Sequence, residues 1–208
     1  MNKRKLGALI ATIALIAAIA VGGTLAYFTD KDTNSNVVKM GHVDISLTET
    51  SSSQKATTIT DKGITFTSVL PGDTLNKIPT VTVQSGSADC YIRVKLGYET
   101  NISDANMALL NANLQNQITA GGTWAYNTTD GYYYCTAVKA AGDKVDLFQN
   151  VVIPTAWDNS VADQSFTINL TAEAIQASYI GYDAAGHQWT GADGQPLTVP
   201  EIQAYVAK

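Results

Sequence analysis

Cys90-Tyr91-Ile92-Arg93-Val94-Lys95-Leu96-Gly97-Tyr98 alternates apolar with polar side chains along its whole length. Cys90, Ile92, Val94, Leu96 and Tyr98 fall on one face, while Tyr91, Arg93 and Lys95 take the other. Period two over nine residues predicts a half-buried β-strand. Shorter runs of the same kind lie on both sides. Upstream, Val43, Ile45 and Leu47 alternate within Val37–Leu47, and Ile64, Phe66 and Ser68 alternate before the turn Pro71-Gly72-Asp73. Thr80–Gln84 forms a short strand with Val81 and Val83 inward, and Thr50–Thr58 is a Ser/Thr-rich loop. Downstream, Thr123–Asn127 and Tyr132–Val138 flank Asp130-Gly131, a hairpin signal. Ala140–Lys144 reads as a loop, and Leu147–Ile153 as a strand stopped by Pro154. Ser165–Ile175 sets Phe166, Ile168, Leu170 and Ala172 against Thr167, Asn169, Thr171 and Glu173.

One segment breaks the pattern. Met107, Leu110, Leu114 and Ile118 recur at three- and four-residue steps, which predicts a helix capped by Ser103 or Asp104 and stopped by Gly121-Gly122. Beyond a Gly- and Asp-rich stretch from Gly181 to Pro196, Thr198-Val199-Pro200-Glu201 opens a short terminal helix. About eight strands with one helical insert, at about 103–119, predict an all-β fold, a β-sandwich of jelly-roll type. No repeat or internal boundary divides residues 37–208, which read as one domain.

The N-terminus has a different character. Asn2-Lys3-Arg4-Lys5 is basic, Leu6–Val21 is almost wholly apolar, and Gly22-Gly23-Thr24-Leu25-Ala26 closes the run with small residues. That order predicts a secretory signal peptide, residues 1–26, a signal helix cut between Ala26 and Tyr27, with an uncleaved N-terminal anchor as the alternative. The apolar run is shorter than the roughly 20 residues of a membrane span. Tyr27–Asn36 then reads as a flexible arm beginning Tyr27, Phe28, Thr29, Asp30. A secreted protein is expected, touching the membrane only during export.

Without the signal, 10 basic residues face 18 acidic ones, a net charge of −8. Such a chain is a poor ligand for nucleic acid or anionic lipid. Cys90 and Cys135 are its only cysteines, and in an exported protein they are candidates for one disulfide or for two buried thiols. No lipobox cysteine or sortase motif is present, so no covalent anchor is expected.

Catalytic chemistry is not legible. His42 and His187 are the only histidines, without a His-Glu-x-x-His helix, so a zinc site is not expected. There is no Gly-x-Ser-x-Gly elbow, and no histidine stands in a family pattern with either cysteine. The acidic pairs Asp143/Asp146 and Asp158/Asp163 sit in loops without a calcium-loop pattern. Neither catalytic residues nor cofactors are expected, and the chain reads as a non-enzyme. Tyr132 and Tyr134 share one strand face, with Tyr133 on the other. Core packing is the default for them, and a glycan platform with Trp124 is the alternative.

Several of these segments carry a resemblance. Gly22-Gly23-Thr24-Leu25-Ala26-Tyr27-Phe28-Thr29-Asp30 resembles the exit of signal peptides cut by the SipW-type signal peptidase. These belong to the TasA/camelysin family of Gram-positive bacteria. Val38-Lys39-Met40-Gly41-His42-Val43-Asp44-Ile45 looks like that family's first strand, and Leu70-Pro71-Gly72-Asp73-Thr74-Leu75 like its Pro-Gly-Asp turn. Gly86–Val94, Gly131–Tyr134 with Leu147–Pro154, and Thr171-Ala172-Glu173-Ala174-Ile175-Gln176-Ala177 are similar to later strands, in the same order. The two cysteines are not part of the family pattern. The resemblance implies a jelly-roll subunit of the extracellular biofilm matrix, at the cell surface or released. It implies self-association into fibres, with minor matrix subunits as further partners and the N-terminal arm added as a strand to a neighbour. Part of the family carries a metalloprotease label, for which these residues supply no zinc ligands.

Overall fold

The structure is a computed structural model that describes residues 42–60, 63–178 and 180–206. The signal peptide, the Ala26–Tyr27 cleavage point and the arm Tyr27–Asn36 lie outside the described residues. So does Val37–Gly41 of the first expected strand.

In chain order the strands are β1 (Ile45–Thr50), β2 (Ala56–Thr60), β3 (Gly63–Phe66), β4 (Thr74–Asn76), β5 (Ile78–Val83) and β6 (Cys90–Thr100). Helix α1 (Asp104–Thr119) follows, then β7 (Trp124–Tyr126), β8 (Tyr132–Cys135), β9 (Lys144–Asp146) and β10 (Asn150–Val152). The chain continues through β11 (Phe166–Gln176), β12 (Gly181–Asp183) and β13 (Gln188–Thr190) to helix α2 (Val199–Val206). The fold is all-β, with α1 as the one long helix among the described residues.

The Cys90–Tyr98 run lies within β6, at the heart of an antiparallel sheet ordered β11-β6-β8-β7. β11 pairs with β6 without a break, from Phe166↔Thr100 to Gln176↔Cys90. A second sheet is ordered β1-β5-β9, with Leu47↔Val81 and Val81↔Val145 in register. Their inward rows, Val81 and Val83 from one sheet and Ile92, Val94 and Tyr133 from the other, share one core. β10 pairs with β4 beside it, and β2 with β3 as a projecting hairpin. These pairings make two layers around a core but stop short of a complete jelly-roll order, because the second layer divides into a three-stranded sheet and the separate β4–β10 pair.

α1 closes the core. Met107, Leu110, Leu114 and Ile118 are its buried residues, as their spacing requires, and the Ser103 hydroxyl accepts the Asn106 N–H at 3.4 Å as the N-cap. Gln117 fastens it to β10, donating to Asn150 O and accepting the Gln149 and Asn150 N–H groups at 2.8–3.0 Å. Gly122, at φ +69°, takes the left-handed turn that follows.

Several expectations need correction. The loop expected over Thr50–Thr58 already contains the start of β2, because Thr-rich sequence suits an exposed strand as well as a loop. Lys144, placed at a loop end, begins β9. The Gly- and Asp-rich tail folds into the β12–β13 hairpin, while the expected terminal helix forms as α2, with Thr198 just before it donating its N–H and hydroxyl to Glu201 Oε2. The largest difference lies on the outer face of β6. Tyr91, Arg93 and Lys95 were expected in solvent, yet Arg93 is buried. Ile180, Trp189, Ile202 and Leu197 of the tail cover that face and form a second core with Tyr134 and Ile175. The sheet is therefore buried on both faces along part of its length.

Candidate functional site

A groove runs where the two sheets fail to meet. β11 is one edge of its sheet and β1 an edge of the other, and neither edge is paired to another strand among the described residues. Between them lies a cavity of about 1020 Å³, lined by Gln164–Leu170, by Leu47 and Glu49, and by Thr58, Ile64 and Phe66 of the β2–β3 hairpin. Its floor is apolar. Phe166, Ile168 and Leu170 alternate with exposed Thr167, Asn169 and Thr171, and pack only part-buried against the main core, as do Leu47, Phe66 and Val69. A row of half-covered apolar side chains beside an unpaired strand edge is what a sheet lacking one strand presents.

One end of the groove is charged. Lys77 and Glu49, each with under a tenth of its side chain exposed, form an ion pair there. Lys55 pairs with Asp73 at the root of the hairpin, and Asp73 also accepts the Leu70 N–H. Those two hydrogen bonds, the lysine's first, hold the Asp73 carboxyl below its ordinary value of 3.8.

A second concentration of charge lies under the C-terminal segment. Arg93 donates to Glu173 Oε2 from Nε at 2.8 Å and Nη2 at 2.5 Å, and from Nη1 to the Tyr134 hydroxyl at 3.0 Å. Tyr134 passes a hydrogen bond on to Asp130 at 2.6 Å. The guanidinium lies 3.9 Å from the centre of the Tyr132 ring and 5.1 Å from that of Trp189. Every charge in the cluster has a partner, which suits a clamp rather than a reacting centre.

Of the residues singled out in the sequence, Cys90 and Cys135 lie on the paired strands β6 and β8, near enough for their charges to interact, whereas the two histidines sit in different loops. His42 precedes β1, where its carbonyl accepts the Ala88 N–H, whereas His187 lies in the β12–β13 turn beside Tyr182. Cys90 and Cys135 are both fully buried free thiols facing the main core. Burial, then the nearby Asp89 carboxylate, pushes the Cys90 thiol up to about 11, and burial raises Cys135 as well. Both are therefore protonated at neutral pH and poor nucleophiles. Tyr134 and Trp124, offered as a glycan platform, are buried at 1% and 2% exposure, and only Tyr132 keeps a part-exposed ring. Sequence reasoning missed the groove and the buried Arg93. The Arg93↔Glu173 cross-strand pair was the available signal for the latter.

A family model described as camelysin metallo-endopeptidase matches residues 1–160. The chain belongs to the camelysin family. That is the TasA/camelysin family to which its sequence segments point. No curated protein and no solved structure matches the chain. The family's printed name implies a catalytic metal, and the described residues of this camelysin-family chain do not fit one. Its histidines sit in different loops, His42 before β1 and His187 in the β12–β13 turn, its cysteines are sealed in the core, and no group of three or more His, Cys, Asp or Glu among the described residues could hold a metal ion. No helix among the described residues is long and apolar enough to cross a membrane.

Proposed function

We propose that this protein is a secreted structural subunit of an extracellular biofilm matrix, and that it polymerises by strand donation. The observation that carries the reading is the open groove between β11 and β1. Its half-buried row Phe166, Ile168, Leu170 has no covering strand among the described residues. The occupant is the arm Tyr27–Asn36 of a second copy, freed when a SipW-type peptidase cuts after Ala26. The lengths agree. The groove follows the first five residues of β11, Phe166–Leu170, about 17 Å of strand, and a ten-residue arm, which extends to about 33 Å, is long enough to span it. An added strand would satisfy the edge backbone groups of β11 or β1 and cover the apolar floor. Because arm and groove are different surfaces of one chain, the contact is head-to-tail and gives filaments rather than closed dimers. Minor matrix subunits with compatible arms would enter the same groove.

Ile168→Lys and Leu170→Lys place a charge on the groove floor while leaving the β6–β11 pairing in place. Sedimentation velocity on the processed chain should show assembly by the natural protein and a monomer for either variant, with unchanged far-ultraviolet circular dichroism. Assembly of both variants at the natural rate would overturn the proposal.

A further inference from the structure

The far edge of the four-stranded sheet carries a second concavity that the fibre reading does not use. β7 is that edge, and beside it lies an open cleft of about 610 Å³. Gln115 and Thr119 from the end of α1 form one wall, Trp124 and Tyr126 the floor, and Tyr182 and His187 of the β12–β13 hairpin the other wall. We propose that this cleft binds a neutral oligosaccharide.

The floor is rigid. Trp124 is buried and anchored by its indole N–H, which donates to Asp146 O at 2.8 Å. Tyr126 remains half-exposed, with its ring 4.8 Å from that of Tyr133. The hairpin wall is fixed with equal care. Asn127, only 6% exposed, spends its side-chain amide on Gly186 O and His187 O, both at 3.2 Å. This holds His187 in the left-handed region at φ +50°, a conformation few residues accept. Its Nδ1 lies 3.3 Å from the Tyr182 hydroxyl, and the other ring nitrogen has no protein partner among the described residues.

The chemistry of the lining selects the ligand class. Two part-exposed tyrosine rings offer apolar surface to the C–H faces of sugar rings. An amide, an imidazole and the hydroxyls of Thr119, Thr128 and Thr136 provide donors and acceptors for sugar hydroxyls. No carboxylate, ammonium or guanidinium lines the cleft, so nothing there selects a charged ligand. The missing carboxylates also remove the acid and base that glycoside hydrolysis needs, leaving binding without cleavage. The hairpin that supplies Tyr182 and His187 lies beyond residues 1–160 matched by the family model. The cleft is thus made jointly by the family-matched region and the C-terminal segment.

Isothermal titration of the processed full chain with N-acetylglucosamine tetramer, cellotetraose and maltotetraose tests the proposal. Saturable binding of at least one is expected, with Trp124 fluorescence changing in parallel. His187→Asn, which tolerates the left-handed backbone, Tyr182→Phe and Gln115→Ala should each weaken it by about tenfold or more at unchanged melting temperature. Absence of binding to all three at about 10 mM overturns the proposal. So does binding that all three variants leave intact.

Discussion

Arg93 meets two carboxylates and three aromatic rings in a pocket that leaves 2% of it exposed. Burial alone would disfavour its charge, but hydrogen bonds with Tyr134 and Glu173 outweigh burial and raise its pKa above the ordinary value. Removing the guanidinium would strand Glu173 and Asp130, whose side chains are each 19% exposed. Arg93→Ala should therefore cost about 3 kcal/mol in urea denaturation, the low end for a broken buried pair because both carboxylates reach water. A loss under about 1 kcal/mol would show that the cluster is solvated rather than clamped. Acid sensitivity also belongs to single residues. Asp73, Asp158 and Asp183 have carboxyls held below 3.8, and Glu201 below 4.5, by hydrogen bonds from Lys55, Ser160, the Ala185 N–H and Thr198 respectively. A depressed folded value stabilises the fold above the unfolded value and loses that contribution as pH falls through the folded one. Thermal melts should be flat down to about pH 4.5 and then fall, with Asp73→Asn shallowing the acid limb. At this scale the sequence told the inward row of β6 correctly and, in the outward row, placed Lys95 rightly in solvent but missed the burial of Arg93. Alternation identifies two faces but cannot tell how many are covered, and a tail about 90 residues downstream covers the second.

Among the elements, α1 was the most legible, because four apolar residues at helical spacing and a serine cap are local signals. β4, β9 and the β12–β13 hairpin were the least, being three-residue strands whose pairing is decided by partners distant in sequence. The hairpin depends on one side chain. Trp189 is fully buried against Tyr134, at 5.2 Å between ring centres, and its indole N–H has no partner among the described residues. Trp189→Ala should lower the opening free energy of β12, β13 and α2 in amide exchange by about 3–5 kcal/mol, while β6 amides stay protected. Trp189→Phe should cost less, about 1–2 kcal/mol, since it also removes a buried donor that lacks an acceptor. Equal losses for the two variants, or loss of β6 protection, would place Trp189 in the folding core instead.

Over the whole molecule, the two sheets share one core but leave a seam on the β11–β1 side, which no local pattern in the sequence could announce. β11 alternates like any half-buried strand. That no described strand pairs with it on one side emerges only from the strand order. The fold class followed from counting alternating runs, whereas the groove depended on how those runs assemble. The arm proposed to fill it begins at Tyr27, so the proposed function would link export and assembly through one peptide bond. The most direct test is electron microscopy of the processed chain beginning at Tyr27, beside the same chain lacking Tyr27–Asn36. The account predicts filaments from the first and dispersed monomers from the second. Filaments of equal abundance and form from the truncated chain would contradict it.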